Sequence, residues 1–129
     1  MGSNPIEEGL RLTLEKRVED TDLASTQGTA RAEVLSTSKL IMFIEKAVTS
    51  LISPYLEEGQ DTVSSEINIK HFKPVGLGNK VRCIVHLKYV EGRKLFFDIA
   101  VFDENHEEVA IGAHCRHIIN LVDFRASLK

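Results

Sequence analysis

The chain has 129 residues, 43% hydrophobic and 27% charged, with three prolines and a net charge of −3. At that length folding buries roughly two-thirds of the extended chain's surface, enough for a core without disulfide or metal staples, which excludes a disordered or stapled class. The slight acidic excess offers no overall attraction for nucleic acid or anionic lipid, although the basic side chains gather in the second half: six against twelve acidic in 1–68, ten against seven in 69–129.

One domain over residues 1–129 is expected, with 1–5 a flexible leader. No hydrophobic export segment follows Met1-Gly2-Ser3-Asn4-Pro5, and Ile6 stands where a myristoylation motif needs Ser or Thr. The only cysteines are Cys83 and Cys115, so reduced thiols in a cytoplasmic protein are the expectation. The longest apolar run, Leu40 to Ile44, is far short of the ~20 residues needed to cross a bilayer.

Leu10, Leu12 and Leu14 alternate with Arg11, Thr13 and Glu15, the period of a strand with one buried face. Asp20 to Gly28 is polar and turn-rich and reads as a loop, continuing into a short helical turn at Ala30 to Val34. Ser36-Thr37-Ser38 offers N-caps for a helix over Lys39 to Leu51, with Pro54 beyond its end. Leu40, Phe43, Ile44, Ala47, Val48 and Leu51 form its apolar face, widened by Ile41 and Ile52, while Lys39, Lys46, Thr49, Ser50 and Ser53 gather opposite. A face that wide suits a helix wrapped by a sheet. Four strand-like stretches follow, Thr62 to Phe72, Lys80 to Val90, Lys94 to Asp103 and Glu108 to Leu121, with turn signals between them. One strand, one long helix and four consecutive strands describe an α+β domain in which the helix covers one face of an antiparallel sheet.

Against this pattern two polar residues stand out. Glu45 falls at the margin of the helix's apolar face beside Ile41 and Ile52, where a carboxylate is either partly desolvated and held by donors, or a boundary residue whose oxygens reach water. His71 shares a strand face with Ile67 and Ile69, and an inward imidazole serves either as a hydrogen-bonded core residue or as a base at neutral pH. Thr37 is an N-cap candidate in competition with Ser36 and Ser38. Cys115 and His117 share a face, as do Gly112, His114 and Arg116, but neither set has the spacing of a zinc site, so no metal is expected. Gly76-Leu77-Gly78-Asn79-Lys80 lacks the Walker and dinucleotide patterns.

The segments Val34 to Ala47, Thr62 to His71 and Gly112 to Arg116 resemble the hotdog-fold thioesterases related to fluoroacetyl-CoA thioesterase, and the likeness runs from about Ile6 to Phe124. In that family a Thr before the helix, a Glu eight residues on and a His 26 residues after the Glu form the catalytic group; Thr37, Glu45 and His71 match both spacings. The resemblance implies five antiparallel strands around a central helix, an acyl-CoA thioester as substrate, and a homodimer or tetramer. It implies no cofactor, coenzyme A entering with the substrate. Ser64, Lys70, Gly112 and Arg116 become candidate substrate contacts, and Lys70, Lys73, Arg82, Arg93 and Arg116 candidate partners for coenzyme A phosphates.

Two departures qualify it. Ser64 stands where relatives usually have Gly, and Leu23 to Ala32 has no counterpart of the aromatic lid that accompanies fluoroacetyl specificity, so fluoroacetyl-CoA is not the expected substrate. A non-catalytic acyl-CoA-binding or small-ligand-binding hotdog protein is the alternative. On one straight helix Thr37 and Glu45 would be ~12 Å apart at ~1.5 Å per residue, so either Thr37 lies on a loop folded back or the site combines two protomers.

Overall fold

A computed structural model describes residues 5–129; the expectation for the leading residues therefore lies, for 1–4, outside the described residues. Five strands, β1 (Arg11–Arg17), β2 (Gln60–His71), β3 (Lys80–Glu91), β4 (Lys94–Asp103) and β5 (Glu108–Asn120), form one antiparallel sheet in the order β1-β3-β4-β5-β2. Among the described residues there are also a four-residue helix α1 (Ala24–Gln27), the long α2 (Thr37–Ile52), a short α3 (Leu121–Ser127) and two 3-10 turns, Asp20–Asp22 and Ser53–Tyr55.

The α2 helix forms where its caps and apolar spacing place it. Ser36 Oγ accepts from Lys39 N at 3.1 Å, and the seven buried residues of α2 include Leu40, Phe43, Ile44, Val48 and Ile52. They pack on inward-facing residues of the sheet such as Val81, Val85, Leu95, Phe97 and Val101. Each such side chain contributes roughly 1.5–3 kcal/mol of burial. The helix begins two residues earlier than its spacing predicts, so Thr37 is its first residue and lies on the same axis as Glu45.

Between β1 and α2 the expected helical turn at Ala30 to Val34 is absent, and α1 forms earlier instead. The reason is tertiary: Val34 bridges to Gly76, Leu23 bridges to Leu35, Ala24 N donates to the Val34 carbonyl and Ser25 N to the Ala32 carbonyl, which holds 30–34 as a bend leading into a bridge rather than a helical turn. Buried Asp22 secures the same segment through Lys16 at 2.8 Å and the Glu19 N–H. At the other end β5 stops at Asn120 rather than running through Leu121, because Asn120 caps α3 by accepting from Asp123 N at 3.1 Å.

The register of β2 on β5 matters most for the site. Ser64 pairs with Arg116, Glu66 pairs with Cys115, and Ser65 is the extra residue of a bulge between them. Because strand side chains alternate, the bulge switches which parity faces the helix. Thr62 and Ser64 face it before the bulge, and Ile67, Ile69 and His71 after it. On an unbroken strand Ser64 and His71 would point to opposite faces.

Candidate active site

At the start of α2, Thr37 Oγ1 lies 2.9 Å from His71 Nδ1. Thr37 is placed by the Ser36 cap and by Leu35 N donating to the Val75 carbonyl; His71 is placed by the last pairing of β2, opposite Ala110. Their hydrogen bond borders a cleft of about 510 Å³ whose walls include Ala24, Ala30, Val34, Phe72 and Pro74. Burial lowers the His71 pKa, partly offset by the Lys73 backbone, so the imidazole is neutral at neutral pH. Its Nε2 is buried and makes no hydrogen bond among the described residues. When Thr37 donates to Nδ1, that nitrogen is the acceptor and the ring proton is on Nε2.

Glu45 is not there. It lies two helical turns along α2, beside a second groove of about 530 Å³ bordered by Leu14, Met42, Thr49 and Arg116. Its Oε2 accepts a hydrogen bond from Ser64 Oγ, whose own oxygen accepts from Arg116 Nη1 at 2.9 Å. Thr37 being helical removes the folded-back loop: within one chain Thr37 and His71 form one half of the expected constellation and Glu45 the other.

The remaining candidates sort by face. Gly112 lies on the inner face opposite Ile69 and Ile99, and a Cβ on it would sit 2.0 Å from the Asn68 carbonyl oxygen and 2.9 Å from Ile69 Cα. Its lack of a side chain lets β2 and β5 approach. Lys70 is on the solvent face of β2, paired with Ile111. Lys73 is held by Asp103, at 2.5 Å, and by Glu107. Arg82 stacks 5.5 Å from the Phe102 ring centre on the sheet's outer face. Neither thiol is activated: burial pushes Cys83 up to about 12, and burial followed by the Glu66 charge raises Cys115. Two residues that the sequence reading gave no role in the site join it, Thr62 and His114, both buried and both in contact with Arg116. The available signal was the alternation of His114 and Arg116 with Ala110 and Gly112, which places a charge and an imidazole on a buried face.

Residues 18–122 match the family described as fluoroacetyl-CoA-specific thioesterase. Over 97 residues the chain is 30% identical to the fluoroacetyl-CoA thioesterase of Streptantibioticus cattleyicolor, covering 75% of this chain and 69% of that protein. The chain belongs to the fluoroacetyl-CoA-specific thioesterase family. A crystal structure of a mutant of the fluoroacetyl-CoA-specific thioesterase FlK superposes with a TM-score of 0.90 at 25% identity, over 98% of this chain and 97% of that one. A Thermus thermophilus protein described as a thioesterase superfamily member shares the fold, with a TM-score of 0.88 at 22% identity over 96% and 91%. The sheet wrapped on α2 is thus the hotdog fold.

Proposed function

We propose that this member of the thioesterase family hydrolyses a small or medium acyl-CoA thioester to the free acid and coenzyme A. The observation that carries the reading is the Thr37–His71 hydrogen bond at the mouth of a cleft, at the spacing from Glu45 that the family resemblance implies. A neutral imidazole held by a hydroxyl is a competent proton carrier at neutral pH. Either water or the Glu45 carboxylate attacks the thioester carbon, with His71 moving protons and Thr37 positioning the attacking group or the carbonyl oxygen. The thiolate of coenzyme A departs, on the second route water then cleaves the anhydride left on Glu45 to release the acid and restore the carboxylate, and no cofactor is needed. Rapid-quench trapping in oxygen-labelled water separates the two routes, since only attack by Glu45 leaves label in its carboxylate.

Two features support a homodimer in which Glu45 of one protomer meets His71 of the other. Thr37 and Glu45 stand on one helix ~12 Å apart, too far to share a substrate atom. The twelve-residue β2 is an edge strand of the sheet, with one row of N–H and C=O groups free to pair with its symmetry copy. Such a pairing makes two equal sites. On the rim, solvent-facing Lys70 is suited to a coenzyme A phosphate. One domain and a cytoplasmic location complete the reading: both cysteines are free thiols, and no helix among the described residues is long and apolar enough to cross a membrane.

The test is thiol release from a panel of short, medium, branched and aromatic acyl-CoAs, comparing wild type with Glu45→Gln and His71→Ala. Release from at least one substrate, lost in both variants, is expected. Tight binding without release anywhere on the panel would establish a ligand-binding module instead.

A further inference from the structure

Glu45 is held by a chain of side chains that the reaction scheme does not use. Arg116 is 7% exposed, and a guanidinium has five N–H donors. Its Nε donates to Thr62 Oγ1 at 2.8 Å and its Nη2 to the Thr62 carbonyl at 3.0 Å. Its Nη1 donates to Ser64 Oγ at 2.9 Å and to His114 Nε2 at 3.4 Å. Four of the five donors are therefore engaged within the protein, which leaves little for a phosphate or an acyl group.

The direction of each bond follows from its neighbours. His114 is fully buried and its Nδ1 lies 2.9 Å from the Glu66 carbonyl, which only accepts, so the ring proton is on Nδ1 and Nε2 is left to receive an Arg116 N–H. Burial lowers the His114 pKa and Arg116 lowers it further, against the Glu66 bond and the Glu45 charge, so the ring stays neutral in that role. Ser64 Oγ accepts from Arg116 and has its own proton to give, and that proton points to Glu45 Oε2. The β2 bulge makes this possible by keeping Ser64 on the inner face directly opposite Arg116.

We propose that Ser64 and Arg116 are positioning residues that orient the Glu45 carboxylate, with His114 fixing Arg116 in turn, and that neither acts by gripping the substrate. The proposal rests on the acyl-CoA hydrolase reading. With Oε2 engaged by Ser64, Oε1 is the oxygen presented to water or to the thioester carbon. The hydroxyl at position 64 thereby takes part in the site, where a glycine would leave Glu45 without this donor.

The test is steady-state thiol release by the full chain, using Ser64→Ala, Ser64→Thr, Glu45→Gln and the double variant Ser64→Ala/Glu45→Gln, each confirmed folded by its thermal transition. Ser64→Ala should lower kcat about 10- to 100-fold with KM within about twofold, since loss of orientation acts on the chemical step. Ser64→Thr, which keeps the hydroxyl, should recover most of that loss, and the double variant should be no slower than Glu45→Gln alone. A raised KM at unchanged kcat would make Ser64 a substrate contact and overturn the proposal; so would losses that simply multiply in the double variant, or a Ser64→Thr as slow as Ser64→Ala. Wild-type turnover by Glu45→Gln would instead remove Glu45 from the reaction. Independently of turnover, crystal structures of wild type and Ser64→Ala should show the Glu45 carboxylate leaving its place, and an unmoved carboxylate counts against positioning.

Discussion

At the start of α2, Thr37 and His71 are held mainly by backbone: a Ser36 cap, the Leu35 bond to Val75 and the final pairings of β2. Two turns further on, Glu45 is held by side chains, through Ser64 and a buried Arg116. The first arrangement leaves an imidazole nitrogen buried without a hydrogen-bond partner among the described residues, and the second gives a carboxylate one donor that is itself held by a guanidinium. A proton carrier must change partners during turnover, whereas an acid that attacks or activates water gains from being fixed. The difference in construction matches the two tasks proposed for these residues.

The sharpest way to break this comparison is to remove one half-site at a time. Glu45→Gln and His71→Ala should each lower thiol release by about 10²- to 10⁴-fold. Mixed dimers of the two variants, formed by co-expression at equal levels, should regain about a quarter of wild-type activity, because a symmetric composite site leaves one intact centre in each heterodimer. No recovery would place the whole site within one chain and refute the shared arrangement.

Next in size is Gly112→Ala. A methyl group pressed against the Asn68 carbonyl must push β2 from β5, costing about 1–3 kcal/mol in chemical denaturation and disturbing both half-sites together. A smaller, local effect is expected from Thr37→Val, which keeps the shape but removes the hydroxyl bond to His71: about a tenfold loss of kcat with stability nearly unchanged, checked by kinetics alongside a melting curve.

The mildest effect is on pH dependence. His71 and His114 both have pKa values lowered in the folded protein, chiefly by burial. Below the unfolded reference of about 6.5 the unfolded chain binds the extra protons, so stability should fall as pH drops from about 6.5 toward the lower folded values and be flat in this respect above it. Urea midpoints across pH 5 to 8 measure the slope, and His114→Asn should reduce it.

Much of this was legible in the string. Alternation placed the strands, and the Ser36 cap with the spacing of Leu40, Ile44 and Val48 placed the helix. What escaped depends on partners distant in sequence. Residues 30–34 have no periodicity of their own and take their shape from Gly76 and Leu35; α3 is set by the Asn120 cap rather than by an apolar stripe. Thr37, Glu45 and His71 were grouped by the family resemblance, and the placing of Thr37 with His71 at one end of the helix and Glu45 two turns away could not be read from it. The β2 bulge was hidden too, since Ser64-Ser65-Glu66 carries no Gly or Pro to mark it, and without the bulge Ser64, Arg116 and His114 cannot be seen to meet Glu45.

The two buried cysteines have a practical consequence. With Cys83 fully covered and Cys115 nearly so, the native chain should be silent toward maleimide reagents, making wild type a ready background for site-directed labelling. A lone reactive thiol installed by Met42→Cys, on the exposed side of α2 beside the Glu45 groove, would carry a fluorophore or spin label that reports directly on whether a second copy docks against this surface.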